Sequence, residues 1–366
     1  MSPLPIPAPD PLPLPLPPGV LKALLLATFT LHLMAVNLGV GGSLLAAAHA
    51  LRGKEEDRDL VRRLAPLLPA SVTFAITLGV APLLFVQLIY GPFFYTASVL
   101  TAVPWLALIF LLMAGYVLLY RFVDSVETQA LRAFSGIFGT LLMLGAGLAL
   151  TNVTTLSLRP DLWAAHAAAS PHGLRLNTVD PTLWPRFLHM AAAMIAVAGL
   201  FLAGWGAWRH HAYARRVGLR WFLAATASQA LWGTWLLVAQ PKPLLDLLLN
   251  ANTAPGLTLW IAIACGALAL FMAIPASQKG APAKDAWAPV ILALASVLGM
   301  ILLRDQMRDA ALAGAGFQAA ALPHRTDWPS LGIFGLTFLG VAALLVTIFR
   351  WAAQPPGSPD TGKELS

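Results

Sequence analysis

Residues 183–205 read LWPRFLHMAAAMIAVAGLFLAGW, 23 residues with one cation near the start and one histidine a turn later. At about 1.5 Å per residue in a helix, such a stretch is long enough to cross a hydrocarbon core about 30 Å thick. It is apolar all round, whereas a helix of a large soluble bundle would show a polar face at a period near 3.6. The rest of the chain repeats the pattern. Of its 366 residues 58% are hydrophobic and only 11% are charged, against about 25% charged in ordinary soluble domains. So little charge could not cover a soluble surface of this size.

Working outward from that segment, the sequence predicts an all-α integral membrane protein of about nine transmembrane helices. The spans lie near 20–51, 68–90, 96–120, 133–150, 183–205, 219–239, 257–274, 286–303 and 331–351. The second is expected to stop at Gly91-Pro92. Residues 1–18, MSPLPIPAPDPLPLPLPP, lack the positive start of a signal peptide and are expected to form an extended tail. The domain organisation is then a proline-rich tail (1–18), a transmembrane domain (19–352) and a polar tail (353–366).

Basic residues decide orientation, because short loops rich in Lys and Arg stay inside. Fifteen of the 23 Lys and Arg fall in the loops of one side and seven in those of the other, with Lys22 at the mouth of span one. The expected protein sits in a bacterial inner membrane with its N-terminus periplasmic and its C-terminus cytoplasmic. The net charge of +7 is spread over these loops, so it sets topology and does not point to nucleic acid. The single cysteine, Cys265, rules out an internal disulfide, a thiolate cluster and covalent c-type haem attachment within the chain.

Ionisable groups inside a bilayer are costly, so each one is a functional candidate. His32 lies in span one and His189 in span five. Either could be a packing histidine bonded to a neighbouring helix, or an axial ligand to haem iron, for which neutral imidazole is suited. Asn37, Gly39, Gly41 and Gly42 follow His32. Small residues there would admit either a flat macrocycle or a neighbouring backbone. Arg186 stands three residues before His189, on the same helix face. It would serve a haem propionate or anchor the span at the interface. Arg304, Asp305, Arg308 and Asp309 cluster at the outer end of span eight. They read either as ions paired among themselves at i, i+4 or as a contact for a propionate or a quinone head. His49, at the inner end of span one, is about 17 residues from His32 and too far to share its cofactor.

The span order and these motifs resemble subunit I of the cytochrome bd quinol oxidases. HLMAVNLGVGG (32–42) resembles that family's first-helix segment, whose histidine binds an active-site haem. FAITLGVAPLLFVQLIYGPFF (74–94), with Gln87, resembles its second helix, and GTLLMLGAGLALTNVTTLSLRP (139–160), with Asn152, its fourth. WPRFLHMAAAMIAVAGL (184–200) resembles the fifth helix, whose histidine binds a low-spin b haem and follows a basic residue by three. LLRDQMRDAAL (302–312), with Arg304, sits where the family carries Gly-Arg-Gln-Pro. The chain also departs from the family. The 240–256 stretch is short where the family has its quinol-binding loop. Leu108 and Tyr116 stand where two glutamates are used for proton delivery and haem placement, and Ala262 stands near the methionine ligand's position.

The resemblance implies a membrane protein with one or two haem b groups, His32 and His189 on the iron, and Arg186, Asn37, Gln87 and Arg304 around the cofactor. It would pass electrons between the quinone pool and a periplasmic acceptor, with a second membrane subunit or a periplasmic c-type cytochrome as partner. The departures keep two rivals open, a haem-free scaffold or transporter subunit and a terminal quinol oxidase with relocated proton groups.

Overall fold

The computed structural model describes residues 13–124 and 129–352. Most of the proline-rich tail and the polar tail 353–366 therefore lie outside the described residues. Among those described, every regular element is helical apart from one isolated bridge between Leu14 and His324. Seven helical segments are long and apolar enough to cross a membrane. Their outward faces carry bare apolar side chains, such as Phe110, Val99 and Phe271. In water that would drive aggregation; in a bilayer it is the lipid contact.

Span one is α1 (Pro18–Val36), a π-helical turn (Asn37–Gly41) and α2 (Gly42–Arg52). The amphipathic α3 (Glu55–Leu64) then lies ahead of α4 (Leu67–Leu100). α5 (Ala102–Asp124), α6 (Gln129–Ser157), the short α7 (Trp163–Ala169) and α8 (Leu183–Trp208) follow. After them come α9 (Ala212–Val238), the short α10 (Lys242–Leu249), α11 (Ala254–Ala276), α12 (Trp287–Ala313) and α13 (Trp328–Ala352). The seven segments are span one, α3–α4, α5, α6, α8, α11 and α12. A total of nine crossings rests on adding α9 and α13, which are of similar length.

Several boundaries differ from the sequence expectation. Span two does not stop at Gly91-Pro92. The helix kinks at Tyr90 (φ −117°, ψ 26°) and continues to Leu100. Pro92 falls in the first turn after the kink, where its missing N–H removes no helical bond. The added turns bury Phe93, Phe94 and Ala97. Span three accordingly starts at Ala102. Span eight runs on past Leu303 to Ala313, so the Arg304–Asp309 cluster is helical.

Consecutive spans pack as hairpins, α1 with α4, α5 with α6, α8 with α9 and α11 with α12. The two groups of four meet where the π turn and α2 lie along α8 and where α1 meets α12. A Cβ on Gly41 would stand 2.1 Å from the carbonyl oxygen of Met194, so the backbones of spans one and five touch there. Gly199 and Gly218 bring α8 and α9 together in the same way, with the carbonyl of Gly218 2.7 Å from a Cβ on Gly199. Backbone contact of this kind is how membrane helices gain packing without a hydrophobic drive. Of the two readings of the glycines after His32, the structure takes the close backbone. Gly39 and Gly42 likewise pack on Val72 and Leu68 of α4.

Candidate functional site

The loops sort into two ends. Leu14 pairs with the 323–325 segment, Gly173 packs on Val99 and Ala102, and Arg159 bonds Asp161. These mark the end that charge bias assigns to the periplasm. At that end spans one, two, five and eight converge on a polar cluster.

Lys22 of α1 bonds Asp305 at 2.9 Å and also bonds Asp309. Tyr90, at the kink of α4, donates its hydroxyl to Asp309 at 2.9 Å. Arg308 lies 3.4 Å from Asp305 and over the ring of Tyr90 at 4.7 Å. The charges of span eight are therefore not paired at i, i+4, a spacing that sets Arg304 beside Arg308 and Asp305 beside Asp309. Apart from the Arg308–Asp305 contact at i, i+3, their partners come from other helices. The sequence places Lys22 at the mouth of span one and Tyr90 at the end of span two, and nothing local in either stretch signals a partner on span eight.

Two arginines are left over. The Nε of Arg186 is buried with no hydrogen-bond partner. Arg304 stacks over Phe29 at 4.6 Å, and among the described residues no carboxylate pairs with it. Both line one cavity of about 40 Å³, with Tyr90, Phe94, Ser157 and Arg308. Desolvated guanidinium groups without a counter-charge cost several kcal/mol. Two such guanidinium groups have the donor geometry suited to an anion with two or more oxygens.

Each leftover arginine stands above one of the candidate histidines. His189 follows Arg186 by one turn, its Nδ1 is buried without a partner, and its ring lies where a Cβ on Gly233 of α9 would be 3.3 Å away. His32 lies 6.2 Å, ring to ring, from Phe29, beneath Arg304. Its Nδ1–H donates to the carbonyl of Ala75 at 2.8 Å, and its ring occupies the notch left by Gly79 of α4. That bond selects the tautomer with a free Nε2 lone pair, the form a metal-binding histidine takes. Measured from the touching Gly41 and Met194, the two histidines sit within roughly 6 Å of the same depth. They do not converge on one centre, since His32 faces α4 and His189 faces α9.

The remaining candidates divide. Asn37 is buried at the start of the π turn with its Oδ1 unpartnered; π turns often mark functional positions. Asn152 is buried and accepts from the backbone N–H of Asn177 at 2.6 Å. Gln87 bonds Tyr95 at 3.4 Å and lines neither the cavity nor the histidine notches. Ala262 packs on Gly299, and its carbonyl accepts from Ser296 at 2.8 Å. The position is thus used for close contact of α11 with α12. Tyr116 bonds Thr73 at 2.6 Å and Tyr120 at 3.2 Å.

A solved structure of bd oxidase from Geobacillus thermodenitrificans matches with a TM-score of 0.70, covering 92% of this chain and 99% of that one. The chain has the bd oxidase fold. Identity over the match is 15%, and at that distance the fold is what the two share. No family model matches the sequence, and no curated protein does. Within this fold, the helices bearing His32 and His189, α1 and α8, are among those that join the two four-helix groups, with α6.

Proposed function

We propose that the chain is a bd-like membrane haem b protein that passes electrons between the quinone pool and a periplasmic acceptor or partner subunit. One observation carries this reading. Two half-buried arginines without carboxylate partners share a cavity, and each stands on the outer side of a histidine. The residues fit the group they would hold. His32 and His189 each turn Nδ1 toward a neighbouring helix, which leaves Nε2 of each as one ligand to a separate haem. Arg186 and Arg304 would neutralise propionates, and Asn37 would contribute a polar contact at the π turn. Haem b, when bound, supplies a one-electron centre. The protein's part is to hold it, exclude water and set its potential through ligand and charge.

The setting would be a bacterial inner membrane, with the arginine cluster toward the periplasm. A second membrane subunit or a c-type cytochrome is the expected partner, because no redox domain is described outside the bundle. Gln87 and the outer charge cluster are where a quinone head would be sought. A reduced-minus-oxidised visible spectrum of the purified chain, expressed with ample haem, tests the proposal. A Soret and α band of b type is expected. Their absence would replace the reading by a haem-free scaffold that kept the fold. The backbone contact at Gly41 favours that rival, because it closes the glycine run of span one to a macrocycle.

A further inference from the structure

The end that charge bias assigns to the cytoplasm holds a second buried polar junction, unrelated to the arginine cluster. His49 of α2 and Asp57 of α3 are both fully buried. The Nδ1 of His49 lies 2.5 Å from Oδ1 of Asp57, and the indole N–H of Trp221 in α9 donates to its Nε2 at 3.0 Å. Tyr213 of α9 donates its hydroxyl to the same Asp57 oxygen, while Oδ2 of Asp57 has no partner. These contacts leave one consistent assignment. Because Trp221 can only donate, Nε2 must be bare, so Nδ1 carries the proton and His49 is neutral. Asp57 is then an ionised carboxylate held by two neutral donors.

We propose that this junction is a pH-sensitive latch between the span-one hairpin loop and span six. Neutral His49 bridges the two, donating to Asp57 on one side and accepting from Trp221 on the other. A proton arriving at Nε2 turns the acceptor into a donor and sets it against the indole N–H, so Trp221 must turn away. The imidazolium stays paired with Asp57, and neutralising that carboxylate also weakens its hold on Tyr213. α3 thus remains on span one, and on Asp59–His211 at the start of α9, while the Trp221 and Tyr213 contacts to span six loosen.

Few other charges face the junction. Arg52 is on the histidine's own helix, and Glu56 of α3 stands near Tyr213. Asp59 on the far side of α3 is taken up by Arg62, Arg63 and His211. From α6, Arg132 is bonded to the Phe122 carbonyl at 2.8 Å. The inner half of α8 carries no ionisable side chain. α9 also carries Arg215, bonded to the carbonyls of Ala281 and Pro282, and Arg216 and Arg220.

The test uses the full chain in lipid nanodiscs, labelled with 5-fluorotryptophan, with the Trp221 fluorine line identified by its loss in Trp221→Phe. That line should shift in a single titration between pH 8 and 5. His49→Gln, which can donate and accept in the same places but cannot titrate, should abolish the shift. A Trp221 line that does not move, or that titrates unchanged in His49→Gln, overturns the latch. Should His49→Gln fail to fold, Tyr213→Phe keeps the histidine and removes a donor from Asp57. It should raise the midpoint by roughly half a pH unit, a threefold change in proton affinity; an unmoved midpoint overturns the proposal as well.

Discussion

Lys22, near the start of the first span, forms an ion pair with Asp305 of the eighth, Nζ to Oδ2 at 2.9 Å, across 283 residues of chain. The pair ties the first span to the eighth, within one turn of Arg304 and Arg308, which line the outer cavity. Removing the cation leaves two carboxylates of α12 facing each other with one arginine between them. Lys22→Met should lower stability by about 1–3 kcal/mol, less than a fully buried pair because the lysine is partly exposed. Thermal unfolding in detergent reads it, and an unchanged midpoint would show the pair to be incidental.

His189→Ala removes an imidazole lodged against Gly233. With the protein still inserted and folded, b-type absorbance should fall, and His32→Ala should cause a smaller and separate loss. Arg186→Gln should keep the absorbance but shift the midpoint potential, since only a charge near the propionates is lost. A band that survives both histidine substitutions would mean the ligands are other residues.

Contact of spans one and five at Gly41 has no spare room. Gly41→Ala should cost about 1–3 kcal/mol or more, because a new methyl meets the backbone carbonyl of Met194 and not a side chain that can turn. Gly147→Ala is the control. Nothing lies within 4 Å of its Cβ position, and alanine there should be neutral or slightly stabilising. Equal effects at the two sites would refute the close-contact account.

His166, in the short helix α7 outside the spans, is buried with its Nε2 unpartnered. Burial holds its imidazole below the usual histidine range, partly opposed by the carbonyl of Leu100. The unfolded chain therefore takes up the proton first as pH falls. The contribution of His166 is complete above about pH 6.5 and is lost as pH drops toward its folded value. Unfolding temperatures of His166→Gln should fall less between pH 7 and 5 than those of the unsubstituted chain. Parallel curves would assign the acid sensitivity to other groups.

Topology has its own check. A reporter fused after Ser366 should read as cytoplasmic and one inserted at His172 as periplasmic. The reverse pattern would turn the arginine cluster to the inner face.

Most of the spans were legible because bilayer thickness imposes a length and an apolar composition on each one. What escaped was set by contacts between helices distant in sequence. Gly91-Pro92 looks like a stop, yet Tyr90 absorbs the bend and the helix goes on to bury Phe93 and Phe94. Arg215 reads as one of a run of loop cations; it is buried and bonds the carbonyls of Ala281 and Pro282 at the end of α11. His49 lies too far along span one to share a cofactor with His32, and no spacing rule reveals that Asp57 and Trp221 meet it. The Arg186–His189 pair was readable because its geometry is local, one turn of one helix.

The π turn at Asn37–Gly41 changes what span one is. A π turn holds about one residue more than an α turn, which rotates everything beyond it by close to a quarter of the helix circumference. His32 ahead of the turn and Gly41 at its inner end therefore keep separate phases, one aimed at α4 and one seated on α8. Span one works as a shaft with a universal joint. Its outer segment can be aligned to suit the histidine and its inner segment to suit the glycine contact, without either setting the angle of the other. Deleting a single residue within the joint would couple them, so that correcting the fit at one end would misalign the other.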